Sequence, residues 1–305
     1  MKKWTFPLAG LAAIAALGVA AWFASAPRAL DRAAKEAVAA PGNAEAGRIV
    51  FFAGGCDSCH MSPGQSDPLR LGGGLELKTP FGSFYPPNIS PDAKDGIGAW
   101  SASEFARALL TGVSPSGEHY FPAFPYTSYR RMTAVDVRDL FAFLRTLPPV
   151  AGRSPPHALA FPFTIRRGVG LWKRLFLGAA ALPEAPGRDA AWKLGRYLVE
   201  GPGHCAECHS PRNILGAIVA HRRLTGGPLP DGKGKAPDIT AAGLKDWSKA
   251  DIVEALSNGF TPTGDSLGGP MAATVRNTAE LPASYREAIA DYLKSLAPDR
   301  AASGE

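Results

Sequence analysis

All four cysteines of this 305-residue chain lie in two short motifs with the same spacing. Motif 1 is Cys56-Asp57-Ser58-Cys59-His60 and motif 2 is Cys205-Ala206-Glu207-Cys208-His209. Two intervening residues let one tight turn present both thiols and the adjacent imidazole to a single macrocycle. This is the attachment sequence of c-type haem. We therefore predict two covalently bound haem c groups. The attachment residues would be Cys56, Cys59, Cys205 and Cys208, and the proximal iron ligands His60 and His209.

Other uses of paired cysteines fit these motifs less well. A zinc site would need four ligands that converge from both motifs, and a thioredoxin-like dithiol does not need the following histidine. No cysteine is left over for a disulfide framework. The sequence also contains no glycine-rich nucleotide-binding loop, so we expect no second kind of cofactor.

The second axial ligand of each iron must come from a residue far along the chain. Met271 follows motif 2 in a stretch with Gly268, Gly269 and Pro270, and we predict it as the sixth ligand of haem 2. His/Met ligation is the high-potential arrangement of electron-carrying cytochromes c. For haem 1 the equivalent position is Phe124, which cannot ligate iron. Met132 or His119 could ligate instead, with Met132 preferred, or the iron could stay five-coordinate.

The chain contains an internal repeat that places these residues in equivalent contexts. A Gly-Arg pair precedes each motif, Gly47-Arg48 before motif 1 and Gly195-Arg196 before motif 2. A Trp-Ser pair follows each motif, Trp100-Ser101 after motif 1 and Trp247-Ser248 after motif 2. Each copy ends in an apolar pattern of helical period, and no alternating apolar run is long enough to predict a sheet. Ser101 and Ser248 each begin a predicted capping box of the middle helix. The sequence predicts a mostly α fold with one unit used twice.

The predicted organisation follows the repeat and the charge. We assign residues 1–27 to a membrane anchor or signal segment, 28–42 to a spacer, 43–150 to domain 1 (unit 1), 151–188 to a basic linker, 189–298 to domain 2 (unit 2) and 299–305 to a tail. The net charge is +6, but residues 43–150 and 189–305 each carry −1. The basic excess therefore lies in the N-terminal segment and the linker, which argues against a nucleic-acid partner.

The N-terminal segment carries two lysines before an uncharged apolar run from about Leu8 to Ala26. Ala24-Ser25-Ala26 has the form of a cleavage site, which favours a removed signal peptide. The run is longer than a usual signal core and close to the length of a bilayer span, which favours an uncleaved anchor. We expect the anchor, with the rest of the chain at the periplasmic side of the inner membrane.

The linker contains an amphipathic stretch from Ile165 to Leu177 in which four basic residues alternate with large apolar ones. Such a stretch could lie on anionic lipid or dock a partner subunit. It could equally be an interdomain helix whose apolar side packs between the two units. The sequence does not separate these alternatives.

With these residues considered together, the chain resembles the cytochrome c subunits of bacterial periplasmic, membrane-attached dehydrogenases of the alcohol, aldehyde and gluconate types. The segments that carry the resemblance are Pro87–Asp92, Gly96–Ser101 and Pro122–Tyr129. The resemblance implies two tandem class I cytochrome c domains. In that family the first of these units usually has methionine at the position of Phe124, and many members have a third haem unit.

The resemblance implies an electron-transfer subunit rather than an enzyme by itself. Its partners would be the catalytic subunit of a periplasmic dehydrogenase and an electron acceptor, which would be quinone, a soluble cytochrome or a terminal oxidase. The alternative is a dihaem enzyme, a peroxidase or a thiosulfate-oxidising cytochrome, that binds substrate at haem 1. Phe124 makes this alternative conceivable because it can leave an open position on the iron.

Overall fold

The computed structural model describes residues 5–229 and 231–297, with side chains from residue 9 onward. The predicted tail, 299–305, and the lysines of the N-terminal segment lie outside the described residues. The helices are α1 Thr5–Ala24, α2 Arg32–Ala39, α3 Ala44–Ala53, α4 Asp57–His60, α5 Ala102–Thr111, α6 Tyr126–Tyr129, α7 Ala134–Leu144, α8 Arg166–Phe176, α9 Ala190–Glu200, α10 Lys249–Asn258, α11 Pro270–Ala279 and α12 Ala283–Ser295. The prediction of a mostly α fold is confirmed.

Short strands accompany the helices, although the sequence predicts no sheet. They are β1 Leu77–Thr79, β2 Gly82–Phe84 and β3 Ala158–Leu159 in one antiparallel sheet, and β4 Gly227–Pro228 and β5 Lys235–Ala236 in another. In the first sheet β2 pairs with both neighbours, so a strand of the linker is tied to unit 1. Strands of two or three residues are too short to show the alternation on which strand prediction depends.

Most of the buried apolar side chains of the described residues form two clusters. The first is built by α2, α3, α5 and α7 around Phe51 and Leu144, and the second by α9, α10 and α12 around Val199 and Leu293. Tyr285 packs against both clusters. Residues 28–42, expected as a spacer, instead begin the first cluster, because α2 is amphipathic and buries Val38 at 1% exposure.

Each cluster is organised by the crossing of its first and last long helices, and a glycine lies at each crossing. Gly47 of α3 meets the backbone of α7 so closely that a Cβ there would lie 1.9 Å from the carbonyl oxygen of Asp139. Gly195 of α9 meets α12 in the same way, 1.8 Å from the oxygen of Ala288. The repeated glycine of the sequence is therefore explained by two equivalent helix crossings.

The middle helices begin as the sequence predicts. Ser101 accepts a hydrogen bond from the backbone of Glu104, and the Glu104 carboxylate accepts one from the backbone of Ser101. Ser248 and Asp251 form the same reciprocal pair at the start of α10. Both capping boxes are confirmed, and they satisfy amide groups that a helix start leaves without partners.

The linker helix α8 packs against the end of α1 and against unit 1. Arg174 donates to the carbonyl of Ala24, and the Arg167 guanidinium lies 3.9 Å from the centre of the Trp22 ring. Buried Lys173 donates to the carbonyls of Thr111 and Gly112, at the end of α5. These basic groups therefore make intramolecular contacts with α1 and unit 1, while Leu171 and Leu175 of the same helix are exposed.

The N-terminal helix α1 exposes apolar side chains such as Leu17 and Phe23. Within the part of the chain that the structure describes, no helix is both long enough and apolar enough to cross a membrane. The N-terminal anchor stays a prediction.

Candidate haem-binding sites

The two motif histidines have the same environment in both units. His60, at the end of α4, donates from Nδ1 to the carbonyl of Pro87 at 2.8 Å, and His209 donates from Nδ1 to the carbonyl of Pro237 at 2.8 Å. A carbonyl can only accept, so Nδ1 carries the proton and the Nε2 lone pair is left to bind iron. Burial lowers the pKa of both imidazoles, which favours the neutral form that a metal binds.

The two carbonyls are held by the loops after each motif. The Asn88 side chain donates to the carbonyl of Val150 at 2.6 Å. The backbone N–H of the neighbouring Ile89 donates to the carbonyl of Leu71 at 3.0 Å. In unit 2 the backbone N–H of Ile239 donates to the carbonyl of Leu224, also at 3.0 Å. Sequence reasoning missed the roles of Pro87 and Pro237. The sequence did contain a signal for them, because each proline directly precedes a pair that recurs in both units, Asn88-Ile89 in unit 1 and Asp238-Ile239 in unit 2.

No disulfide joins any of the four motif cysteines. Burial above all raises the pKa of Cys56 and Cys205 to about 12, and that of Cys59 to about 11. The two motifs come close together, since Tyr129 contacts both Gly54, just before motif 1, and His204, just before motif 2. Even so, no group of three His, Cys, Asp or Glu side chains converges on one point within the described residues, as a zinc site would require. Two thiols and an oriented imidazole in each unit suit covalent haem.

Met271 lies in the first turn of α11, half-buried, where the sequence predicts a loop before the closing helix. The turn that introduces α11 needs a left-handed residue, and Gly269 supplies it with φ of 57°. Pro270 then begins the helix, a position that proline favours because its missing N–H would have no partner there. The element before the final helix of unit 2 is thus helical, and it presents Met271 at its start.

The two candidates for the sixth ligand of haem 1 lie in different surroundings. Met132, between α6 and α7, is 6% exposed and belongs to the apolar cluster against which Cys56 packs. His119 is also buried, but its Nε2 donates to the carbonyl of Ser25 at 2.8 Å, at the end of α1. Phe124 packs edge-on against Tyr129, with ring centres 5.7 Å apart. The structure thus brings Met132 into the core of unit 1 and ties His119 to the N-terminal segment.

Comparisons with known proteins agree with this geometry. The family model described as cytochrome c matches residues 44–148. A protein of Cereibacter sphaeroides named diheme cytochrome c-type is 52% identical over 260 residues, which cover 84% of this chain and 86% of that protein.

Two other relatives are subunits of dehydrogenases. The fructose dehydrogenase cytochrome subunit of Gluconobacter japonicus is 36% identical over 85% of this chain and 53% of its own length. The gluconate 2-dehydrogenase cytochrome c subunit of Pantoea cypripedii is 34% identical over 82% of this chain and 58% of its own length. The chain therefore spans a little over half the length of these two dehydrogenase subunits.

Proposed function

Since the chain belongs to the family of dihaem c-type cytochromes, we propose that it carries electrons from the catalytic subunit of a dehydrogenase to a respiratory acceptor. The proposal depends mainly on one observation, the identical orientation of His60 and His209 by a proline carbonyl in the two units. When bound, each haem supplies an iron that takes up and gives up one electron at a time. The chain attaches each haem, orients its axial ligands and excludes water from it.

The ligand set that we propose is His60 with Met132 for haem 1 and His209 with Met271 for haem 2. Burial of Met132 in the cluster beside Cys56 supports the first pair, and the hydrogen bond of His119 to Ser25 argues against that histidine. A thioether opposite histidine raises the reduction potential of the iron, which suits an electron carrier rather than an open catalytic haem.

The site of action that we propose is the periplasmic face of the inner membrane, with the N-terminal segment as an anchor. The uncharged run from Leu8 to Ala26 supports this location. The names of the relatives support a dehydrogenase catalytic subunit as electron donor, and quinone, a cytochrome or a terminal oxidase would be the acceptor. We propose residues 43–150 and 189–298 as the two haem domains.

The proposal is tested by affinity purification of the full chain from mildly solubilised membranes, followed by mass spectrometry. A dehydrogenase catalytic subunit should accompany the chain in stoichiometric amount, and its substrate should reduce both haems in the purified complex. The matched control is the variant Cys205→Ala/Cys208→Ala, which should retain one covalent haem and fail to reduce the acceptor. A chain that purifies alone and turns over peroxide or thiosulfate would overturn the proposal.

The ligand assignment has its own test in the full chain with both haems attached. Met132→Leu and Met271→Leu should each lower one of the two reduction potentials and remove the near-infrared absorption of one thioether–iron bond. Met61→Leu is the control, since Met61 directly follows His60 and is held too close to the proximal side to reach the opposite face. An unchanged spectrum for Met132→Leu together with a changed one for His119→Gln would reverse the assignment for haem 1.

A further inference from the structure

The two haem-attachment turns contact each other's units in a reciprocal way. In motif 1 the third residue, Ser58, accepts a hydrogen bond from the Asn277 side chain at 3.2 Å. Asn277 belongs to α11, which carries Met271 in its first turn. In motif 2 the third residue, Glu207, accepts hydrogen bonds from the hydroxyls of Thr127 and Ser128 of α6, shortly before Met132. Each motif therefore touches the segment that carries the other unit's methionine, as in a two-fold interface.

The stronger half of this interface is a buried carboxylate with several partners. Glu207 is 8% exposed and Ser128 is fully buried. Besides the two hydroxyls, Arg212 donates to one carboxylate oxygen of Glu207 at 2.7 Å and also to its backbone carbonyl at 2.7 Å. A buried charge is tolerated when it is paired and hydrogen-bonded in this way, and removing its partners is costly.

An aromatic side chain fills the space between the two motifs. Tyr129 of α6 donates to the carbonyl of Gly54, just before motif 1, at 3.3 Å. The same ring packs edge-on against His204, just before motif 2, with ring centres 5.5 Å apart. The hydroxyls that bind Glu207 are therefore on the short helix that separates the two attachment turns. A shift of α6 relative to motif 2 would change the separation of the haem edges.

We propose that Glu207 is a positioning residue for electron transfer between the two haems, because its carboxylate holds the attachment turn of haem 2 against α6 of unit 1. This inference rests on the proposed function. In the step concerned, one electron leaves a ferrous iron, which becomes ferric, and reduces the ferric iron of the other haem, while no bond breaks and no proton moves. Thr127 and Ser128 act with Glu207 by holding the same contact from the other side.

The experiment uses the full chain with both haems attached and measures the rate at which electrons redistribute between the haems after rapid partial reduction. The variants are Glu207→Ala and Thr127→Val/Ser128→Ala, which remove the contact from opposite sides. The control is Glu287→Ala, which removes an exposed carboxylate on α12. Haem content, optical spectra and the reduction potential of each haem are recorded for every variant, together with hydrogen exchange of the α6 amides.

Both contact variants should slow the redistribution, with unchanged haem content and optical spectra, while the control matches the wild type. Loss of a hydrogen bond to a charged group should also reduce the exchange protection of α6 about tenfold. Combining the two contact variants should slow the rate little beyond either alone, because both break one interaction. Reduced protection with an unchanged rate would overturn the inference and leave Glu207 a structural residue. A wild-type chain whose haems exchange no electrons would instead overturn the proposed function.

Discussion

Replacing Gly195 with alanine should force apart the two helices that cross in unit 2. The added Cβ would lie 1.8 Å from the carbonyl oxygen of Ala288 and 3.0 Å from Cβ of Tyr292. Both atoms belong to the rigid part of α12, so neither can turn aside as the end of a long side chain could. Restoring an ordinary contact of 3.4 Å therefore requires a separation of more than an ångström between α9 and α12.

The size of the effect follows from two opposed contributions. Overpacking of a tight core typically costs about 1–3 kcal/mol and occasionally more, and this clash is with backbone, so we place its cost at about 3 kcal/mol. Alanine is favoured over glycine inside a helix by about 1 kcal/mol. The free energy of unfolding should therefore fall by about 2 kcal/mol. For a unit of this size the melting temperature should fall by roughly 10 °C.

The assay is thermal unfolding of the haem-loaded chain, followed by circular dichroism. The matched control is Gly168→Ala in α8, where an added Cβ meets nothing within 4 Å and the helix preference acts alone. The control should be neutral or stabilised by up to about 1 kcal/mol. If Gly195→Ala melted at the wild-type temperature or above it, the crossing would not depend on glycine. Gly47→Ala should act in the same way on unit 1.

Three further predictions concern contacts around the two units. Tyr197→Phe removes the hydroxyl that donates from α9 of unit 2 to Asp136 of α7 in unit 1. It should lower the free energy of unfolding, measured by urea titration, by about 1–3 kcal/mol. An unchanged free energy of unfolding would show that water replaces the contact. Arg48→Ala breaks a half-exposed ion pair with Glu280, and it should alter stability by less than about 1 kcal/mol even at low salt. Burial, more than the neighbouring arginines, lowers the pKa of Lys173 from 10.5 to about 7. Between these two pKa values the unfolded chain binds a proton at Lys173 that the folded chain does not. The free energy of unfolding of the wild type should therefore rise with pH relative to that of Lys173→Met. Parallel profiles of unfolding free energy against pH for the two proteins would contradict the burial of Lys173.

The features that sequence reasoning predicted correctly are local ones. The mostly helical fold and the capping boxes at Ser101 and Ser248 depend on residues within a few positions of each other. The predicted attachment turns depend on a spacing of two residues between cysteines. The repeat was visible for the same reason, because short patterns recur at equivalent positions. The expected spacer at 28–42 shows the converse, since only its packing on α5 and α7 makes it part of a core.

The sequence by itself determined which side chains are suited to bind haem, because thiol, imidazole and thioether chemistry belongs to residue types and to short spacings. Only the tertiary structure decided which carbonyl orients each histidine and how the two motifs meet. It also decided that Met132 joins the apolar cluster of unit 1 while the His119 ring donates to the carbonyl of Ser25. These relations join residues that are tens of positions apart. They arise when burial of apolar surface brings distant segments together, and no short pattern in the chain encodes the distance that results.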